Sequence, residues 1–545
     1  MNWSIRKVKE SVVTIISQEF DLHPILSRFL VARGFVDRSS VGSILKPTSS
    51  HNSPFLFSHM ERAVDVILKA VKKQEHILIF GDYDADGIAG SVVLFRFLRE
   101  FTNKVDFFVP SRINHGYGLT MKALKEISID KYSLVITVDC GMDAICEGNY
   151  LRSKGIDLVV TDHHEVSALL PPAVAIINPK LDDSYPFKDL AGCGVAFKIV
   201  EALAEALGVE KRDYLTPLLP YVALGTIADS MKLVGENRFL VKYGLKFIKK
   251  SKPLVFLISN LGLNVDNVSV EDIAFYVAPR INAPGRMESA DVSFRFLMED
   301  ETVNLNRLLF EIESINSKRQ REQQRIISRI GPIEEGFYYI YDENLHPGVV
   351  SVVASRISHT YRKPTFVISL IGDFGRGSAR VSKNFKGLYD IFKKVGSCLL
   401  TWGGHDSAVG FTIKREMVET LRMRLLDELV YLEEVENRLV DGVIRFEDID
   451  AKFVRDLVRL QPFGEGFDEP LFMFEKVEVR NVWKEGRKRR VLLLQDLIAV
   501  EGIVEGDLEV ICGFYDIVGT PYIEDSDGRK KIVITVSYTH LTLPT

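Results

Sequence analysis

Cysteine is scarce in this sequence. The 545 residues include five cysteines, an odd number, and no two of them form a Cys-x-x-Cys pair. Neither a disulfide framework nor a structural zinc site is therefore indicated. We expect reduced and mostly buried thiols at Cys140, Cys146, Cys193, Cys398 and Cys512.

Long apolar runs are also missing. A helix that crosses a membrane needs about 20 consecutive apolar residues, and no run approaches that length. The first residues, MNWSIRKVKESVV, lack the long apolar centre of a secretory signal. These two absences predict a cytoplasmic protein without a membrane partner.

The sequence has no excess of positive charge. Its net charge is −5, which by itself argues weakly against a protein that binds nucleic acid. Two segments, 318–321 and 484–490, are nevertheless rich in Lys and Arg. Such runs usually form a solvated helix face or loop, so charge alone does not decide between the two kinds of protein.

The chain is too long for one hydrophobic core, because domains typically contain about 100 to 200 residues. Three or four domains are expected. After a helical pattern over 57–73, strand-like segments at 76–80, 105–109, 134–138 and 157–160 alternate with helix-like ones. This alternation predicts a parallel α/β sheet, whose ligand sites lie beyond the carboxyl ends of the strands.

Four short polar runs lie at the ends of such strands or beside a helix. They are Gly81-Asp82-Tyr83-Asp84-Ala85-Asp86-Gly87, Val138-Asp139-Cys140-Gly141, Thr161-Asp162-His163-His164 and Gly225-Thr226-Ile227-Ala228-Asp229. Taken singly, the first could be an ordinary turn, the His pair structural, and the last acid a helix cap. Their joint occurrence after successive strands predicts convergence at one sheet edge.

Carboxylates and imidazoles without cysteine favour Mn²⁺ or Mg²⁺ over structural zinc. Two such ions, bridged by a carboxylate, can activate water and neutralise charge on a phosphoryl group. The four runs therefore predict hydrolysis of phosphate esters.

The rest of the chain contains further segments of distinct character. Residues 193–260 are mostly helical, and 301–330 form a long charged helix that bridges two domains. A second α/β domain follows, with strands at 337–341 and 365–370. Beyond 437, short β-like pieces at 471–480, 491–494, 497–503, 508–514 and 532–536 predict a small antiparallel barrel.

The four polar runs resemble the motifs of the DHH phosphoesterase superfamily. Within it, further runs resemble the RecJ family of single-strand-specific exonucleases. These runs are 116–119 (GYGL), 190–198 (LAGCGVAFK), 280–286 (RINAPGR), 346–349 (HPGV), 403–405 (GGH) and 461–464 (QPFG). The likeness extends from about residue 50 to about residue 520, in the family's order.

The resemblance implies a centre of two Mn²⁺ or Mg²⁺ ions. Its implied ligands are Asp84, Asp86, Asp139, His163 and Asp229, with Asp82 as a further candidate. His164 is implied as a catalytic group beside them. On this interpretation Asp84 and Asp86 rank ahead of Asp82 as direct ligands, and His163 ranks ahead of His164.

The resemblance also implies residues that hold a nucleic-acid backbone. Arginine forks match phosphate bidentately, and glycines allow close approach of the backbone to a phosphate. The implied residues are Arg280, Asn282, Arg286, Arg356, Ser378, Arg380, Gly403, Gly404 and His405. One departure from the family is Phe467, where asparagine is frequent.

The implied fold class is α/β with a C-terminal β-barrel. The expected parts are an N-terminal helical segment (1–55), a parallel-sheet DHH catalytic domain (56–300), a linking helix (301–331), a DHH-associated α/β domain (332–436) and an oligonucleotide-binding (OB-like) barrel (437–536). We interpret 537–545 as a truncated or non-native tail and assign it no function.

The implied activity is 5′→3′ exonuclease action on single-stranded DNA, in recombination and repair. Family resemblance further suggests a monomer that works with a single-strand-binding protein and a helicase. Two alternatives stay open: a phosphodiesterase for short oligoribonucleotides or cyclic dinucleotides, and a DNA-binding scaffold with an inactive site.

Overall fold

The computed structural model describes residues 3–541 apart from 113, 166–168, 332–335, 383–384, 430–431, 435–438, 486–487, 505–509 and 527–528. The chain forms two compact units. We call residues 53–231 and 243–437 the α/β unit, and residues 1–52, 232–242 and 438–545 the barrel unit. None of the described helices is long and apolar enough to cross a membrane.

The barrel unit begins with a short strand and three helices. They are β1 (Ser4–Ile5), α1 (Glu10–Phe20), α2 (Pro24–Ala32) and α3 (Arg38–Leu45). Asp37 caps α3 by accepting a hydrogen bond from the backbone N–H of Ser40, which satisfies a donor that the first turn would otherwise leave unpaired.

The α/β unit opens with alternating helices and strands. They are α4 (Met60–Lys72), β2 (Ile77–Gly81), α5 (Ala85–Arg99), β3 (Val105–Phe108), α6 (Met121–Glu126), β4 (Leu134–Val138), α7 (Ile145–Ser153), β5 (Asp157–Thr161), β6 (Ala175–Ile177), α8 (Gly192–Leu207), α9 (Lys211–Leu215) and α10 (Leu219–Ala228). The strands pair in parallel in the order β3-β2-β4-β5-β6, which confirms the predicted parallel sheet.

Burial explains why the central strands carry apolar runs. Every residue of β2 and β4 is buried, as expected for strands covered on both faces. The chain leaves β2 for β3 on one side and then returns to β4 on the other. The carboxyl ends of β2 and β4 therefore flank the point where strand order reverses, which is where open α/β sheets bind ligands.

Helices dominate the next part, as predicted. They are α11 (Gly235–Lys246), whose residues up to Lys242 belong to the barrel unit, α12 (Lys252–Asn260), α13 (Ala278–Met287), α14 (Asp291–Met298) and α15 (Thr302–Ile327). A π-helical turn, Asp272–Val277, precedes α13. Helix α15 corresponds to the long charged segment of the sequence and buries Leu305, Leu308 and Ile312.

The second sheet of the α/β unit follows α15. Its elements are β7 (Tyr338–Asp342), α16 (Val350–Tyr361), β8 (Thr365–Ile371), β9 (Phe374–Arg380), β10 (Phe385–Lys386), α17 (Leu388–Val395), β11 (Leu399–His405), β12 (Ala408–Lys414), α18 (Val418–Glu428) and β13 (Glu433–Glu434). The order is β11-β12-β9-β8-β7, and only β7 and β8 pair in parallel. Glycines in β9, β11 and β12 weaken the strand signal, so the sequence predicted only β7 and β8.

The barrel unit is completed by β14 (Leu439–Val440), β15 (Gly442–Val443), α19 (Ala451–Leu460), β16 (Phe472–Glu485), β17 (Lys488–Gln495), β18 (Ile498–Val504), β19 (Gly513–Ser526) and β20 (Arg529–Leu541). Strands β16, β17, β18, β20 and β19 close a barrel, because β19 also pairs with β16. The predicted barrel is confirmed, but it is not wholly antiparallel, because β18 and β20 are parallel. The predicted strand at 508–514 is also wrong in its start, since β19 begins at Gly513 and 508–509 lie outside the described residues.

N-terminal and C-terminal segments share one core in the barrel unit. Strand β1 pairs in parallel with β14, and buried Phe29 of α2 packs with Phe463 and Phe467. Arg238 of α11 is fully buried and donates to the backbone carbonyls of Ile44, Leu460, Gln461 and Pro462. Phe467 is thus a core residue here.

Candidate metal centre and nucleic-acid interface

Strand register places three aspartates in a row at the edge of the first sheet. Gly81 lies opposite Val138, and Val138 lies opposite Thr161. The next residue of each strand is Asp82, Asp139 or Asp162. The ladder continues through these residues: the N–H of Asp82 donates to Val138 O, and that of Asp139 donates to Thr161 O. The predicted convergence of the three runs therefore follows from parallel pairing.

The turn after β2 holds Asp84 at the start of α5. One oxygen of Asp84 accepts hydrogen bonds from the backbone N–H groups of Asp86 and Gly87, each at 3.0 Å. A Cβ on Gly87 would lie 2.7 Å from Asp82 O, so this tight turn requires glycine. Helix α13 supports the turn, because Oδ1 of Asn282 accepts from Ala85 N at 2.8 Å.

Asp86 is held by the first turn of another helix. Its Oδ2 accepts from Gly192 N at 2.7 Å, and its Oδ1 accepts from Cys193 N at 2.9 Å. Gly192 begins α8, and the residue before it, Ala191, offers no side-chain cap. The Asp86 side chain, buried to 1% exposure, therefore serves as the cap of α8.

His163 faces the carboxylates. Its Nε2 lies 3.2 Å from Oδ1 of Asp139, 3.6 Å from Oδ2 of Asp229 and 3.9 Å from Oδ2 of Asp86. Asp229 occupies the residue that ends α10 and keeps a third of its side chain exposed. Four separate elements thus bring these four side chains to one point.

Burial and mutual repulsion disfavour negative charge in this cluster. Burial, followed by the charges of neighbouring aspartates, raises the pKa of Asp139 and of Asp82 well above the ordinary value. The same causes raise the pKa of Asp229 to about 8. Burial lowers the pKa of His163, which favours the neutral imidazole that a metal ion needs. A bound cation would remove the repulsion.

His164 differs from His163 in its partner. Its Nδ1 lies 2.7 Å from Oδ1 of Asp162, which also accepts from the backbone N–H groups of both histidines. Although burial opposes it, this carboxylate raises the pKa of His164 to about 9. The contact with Asp162 therefore favours the protonated imidazole, which can donate a hydrogen bond to an anion.

The donors present fit divalent cations. Three groups of side chains each place one ligand atom per residue within 4.8 Å of one another. The groups are Asp82, Asp84 and Asp139; Asp86, His163 and Asp229; and Asp139, His163 and His164. Buried Oδ1 atoms of Asp82 and Asp139 have no hydrogen-bond partner among the described residues. Hard oxygen donors with one neutral imidazole suit Mn²⁺ or Mg²⁺.

The second sheet aligns polar and small residues across three strands. Arg380 of β9 lies opposite Ala408 of β12, which lies opposite His405 of β11. Two residues earlier on β9, Ser378 lies opposite Gly410, which lies opposite Gly403. Added Cβ atoms on Gly403 and Gly410 would meet nothing within 4 Å, so close packing within the protein does not require either glycine.

Comparison with known proteins agrees with this arrangement. The profile described as "DHH family, N-terminal domain" matches residues 76–226, "DHHA1 domain" matches 334–431, and "RecJ OB domain" matches 440–538. The single-stranded-DNA-specific exonuclease RecJ of Haemophilus influenzae is 32% identical over 423 residues, which cover 72% of this chain and 72% of the relative. The chain belongs to the RecJ family.

Two further comparisons bear on length and fold. The Bacillus subtilis RecJ exonuclease is 34% identical over 438 residues, which cover 78% of this chain but 55% of the relative, so the chain spans about half of that protein. The crystal structure of RecJ in complex with Mn²⁺ from Thermus thermophilus matches with a TM-score of 0.85 at 24% identity, covering 100% of this chain and 80% of that one. This likeness shows the shared RecJ fold.

The residues predicted to bind nucleic acid fall into two sets. Ser378, Arg380, Gly403, Gly404 and His405 lie together on β9 and β11. The others are spread over helices: Arg280 pairs with Glu313, Asn282 supports the turn at Ala85, Arg286 donates to Ser351 Oγ, and Arg356 is exposed on α16. The structure therefore gives Arg280, Asn282 and Arg286 partners within the protein.

Sequence reasoning missed three polar residues at this RecJ-type site. Asp162 orients both histidines. Tyr117 places its hydroxyl 3.2 Å from Nε2 of His164. Arg112 lies over the ring of Tyr83, at 5.6 Å from its centroid. Burial lowers the pKa of Arg286 and of Arg380, and the charge of Arg112 lowers both pKa values further. The run Gly116-Tyr117-Gly118-Leu119 was a signal for Tyr117, whereas no motif marked Arg112.

Proposed function

We propose that this chain is a metal-dependent exonuclease that removes nucleotides from the 5′ end of single-stranded DNA, in recombination and repair. The observation that carries the proposal is the cluster of Asp82, Asp84, Asp86, Asp139, His163 and Asp229, in which burial and neighbouring carboxylates raise the pKa of Asp82, Asp139 and Asp229. The names of the curated RecJ relatives supply the substrate and strand preference.

Two Mn²⁺ or Mg²⁺ ions are the proposed cofactor. RecJ of Thermus thermophilus has been crystallised with Mn²⁺ and with Mg²⁺. Asp82, Asp84 and Asp139 would hold one ion, and Asp86, His163 and Asp229 the other. Asp139 would lie near both ions, because it also groups with His163. When bound, such a pair supplies Lewis acidity and an activated water for attack on a phosphodiester.

The protein's own groups would then bind and orient the phosphate. His164, positively charged through its contact with Asp162, can donate a hydrogen bond to a phosphate oxygen. Arg112 is close enough to repel both Arg286 and Arg380, and an anion bound beside these arginines would relieve that repulsion. The bare backbone at Gly403 and Gly410 would let a strand approach the sheet.

The barrel supplies a second contact for a long substrate. Barrels of this kind bind single strands through basic grooves and stacking aromatics. Half-exposed Phe514 of β19 is a candidate stacking ring. We assign 437–536 this binding role and 56–300 with 332–436 the chemistry, as the sequence predicted.

The test is digestion of single-stranded DNA labelled at either end, with Mn²⁺ or Mg²⁺ and with a duplex control. Loss of mononucleotides from the 5′ end of the single strand alone is expected. Asp139→Asn should abolish cleavage and leave binding to single strands largely intact. Cleavage by that variant in Mn²⁺ would contradict the proposal, as would a preference for dinucleotides over long strands.

Partners and location complete the proposal. Single-stranded DNA is the proposed substrate, and a monomer working with a single-strand-binding protein and a helicase in the cytoplasm is proposed from family resemblance. Pull-down of a purified single-strand-binding protein would test that partnership, and sedimentation of the free chain would test the monomeric state.

A further inference from the structure

We propose that the first turn of α8 is a positioning element for the metal centre, in which Gly192 and Cys193 fix Asp86 while the bare Cα of Gly192 sets the place of Asp139. The inference rests on the proposed metal-dependent activity. It gives a role to the run Leu190–Lys198, which the chemistry described above does not use.

The hold on Asp86 is unusual for a helix cap. Caps normally come from the residue just before the helix, two or three positions from the N–H groups they accept. Here the cap is 106 positions upstream of Gly192, and both carboxylate oxygens are used, one by each N–H. Two hydrogen bonds fix the plane of the carboxylate and leave each oxygen a second lone pair for another partner.

Gly192 also touches a second candidate ligand. A Cβ built on Gly192 would lie 2.6 Å from both Cβ and Oδ1 of Asp139. Real contacts of this kind are essentially never so short, so any side chain here would displace the Asp139 carboxylate. The spacing between Asp86 and Asp139 is therefore determined by one glycine.

A third helix packs against the same point. A Cβ on Gly225 of α10 would lie 2.6 Å from Oδ1 of Asp86 and 2.6 Å from Sγ of Cys193. Gly225 lies one helical turn before Asp229, another candidate ligand. The absence of side chains at Gly192 and Gly225 thus lets three ligand-bearing segments approach within reach of one ion.

The competing explanation is ordinary packing, in which the glycines only allow α5, α8 and α10 to approach. The two explanations differ in what a methyl group would change. If the turn positions the ligands, Gly192→Ala weakens metal binding in a folded protein. If it only packs helices, the variant loses stability and keeps the metal affinity of the parent.

The experiment titrates MnCl₂ into the metal-free full chain and follows free Mn²⁺ by electron paramagnetic resonance, with melting temperatures measured in EDTA. Gly192→Ala and Gly225→Ala should each bind Mn²⁺ at least tenfold more weakly than the parent, the usual range when a group that orients a ligand is lost.

Two matched variants serve as controls. In Gly244→Ala the new Cβ would lie 2.4 Å from Cβ of Ala223, a comparable clash between α10 and α11 that touches no candidate ligand. In Gly42→Ala the new Cβ meets nothing within 4 Å. Both should keep the Mn²⁺ affinity of the parent, and Gly244→Ala should lower the melting temperature.

Each result decides the matter. Unchanged Mn²⁺ affinity in folded Gly192→Ala and Gly225→Ala would overturn the inference, and so would loss of folding in both, since the turn would then be a structural element. Equal weakening by Gly244→Ala would overturn it too. If the parent chain binds no Mn²⁺, the proposed function fails first, so the two failures are distinguishable.

Discussion

Replacing Asp139 with asparagine should change stability in opposite directions with and without metal. Asp139 is 2% exposed, and its backbone has φ 62°, a left-handed conformation that asparagine tolerates as well as aspartate. The substitution therefore removes charge while keeping size and backbone. Asp143→Asn, at an exposed acid on the same connection, is the matched control.

The size of the effect follows from the spacing of the carboxylates. Ligand oxygens of Asp82, Asp84 and Asp139 lie within 4.8 Å of one another. Two unit charges at that distance repel by about 3.5 kcal/mol when the effective dielectric constant is near 20. Burial and repulsion raise the pKa of Asp139, which favours the uncharged carboxyl and makes the relief of repulsion smaller. We expect Asp139→Asn to stabilise the metal-free protein by roughly 1 to 3 kcal/mol.

Bound metal reverses the order of stability of the parent and the variant. Each ion bound at 100 times its dissociation constant stabilises the folded chain by about 2.7 kcal/mol, so two ions add about 5 kcal/mol to the parent. The variant lacks the carboxylate shared by two of the three candidate groups and gains much less. In melting curves, the variant should unfold several degrees above the parent in EDTA and below it in saturating Mn²⁺.

Two results would contradict the expected effects of Asp139→Asn. If Asp139→Asn melts below the parent in EDTA, the carboxylates are not mutually repelling. If Mn²⁺ raises both melting temperatures equally, Asp139 is not a ligand. The Asp143→Asn control should follow the parent under both conditions.

Three further outcomes are expected. In EDTA the parent should melt at a higher temperature at pH 6 than at pH 8.5. Burial raises the folded-state pKa of Asp229 to about 8, so the stability that the protonated carboxyl contributes is lost as the pH rises through that value. A higher melting temperature at pH 8.5 would contradict the raised pKa of Asp229. His405→Gln should lower kcat/KM on single-stranded DNA by about tenfold to a hundredfold and leave Mn²⁺ affinity unchanged, as tested by steady-state digestion beside the titration. Arg238→Met should destabilise the barrel unit by about 3 to 5 kcal/mol, because four backbone carbonyls, two of them in buried hydrogen bonds, lose their donor. A chemical-denaturation midpoint equal to that of the parent would contradict this.

Local periodicity determined much of the first sheet. Strands buried on both faces, such as β2 and β4, carry continuous apolar runs, and the acids that follow them reach one edge because parallel strands end together. The barrel was predicted from short β-like pieces, but the parallel pairing of β18 with β20 was not, since pairing partners far apart in sequence leave no local signal.

The second sheet was harder to predict for a different reason. Strands β9, β11 and β12 contain glycines that carry little strand propensity. Only the ladder shows that Gly403 and Gly410 lie opposite each other and that Arg380 and His405 share a row.

The kind of chemistry could be predicted from the residues, because the donor types, their positions after strands and the absence of paired cysteines limit the choice to hard divalent metals. How the donors are used depends on the fold. The fold groups Asp82 with Asp84 and Asp139, pairs His164 with Asp162, and brings Arg112 close enough to Arg286 to lower its pKa. These outcomes depend on distances between segments far apart in the chain, which helix packing and strand register set and which no local pattern of residues encodes.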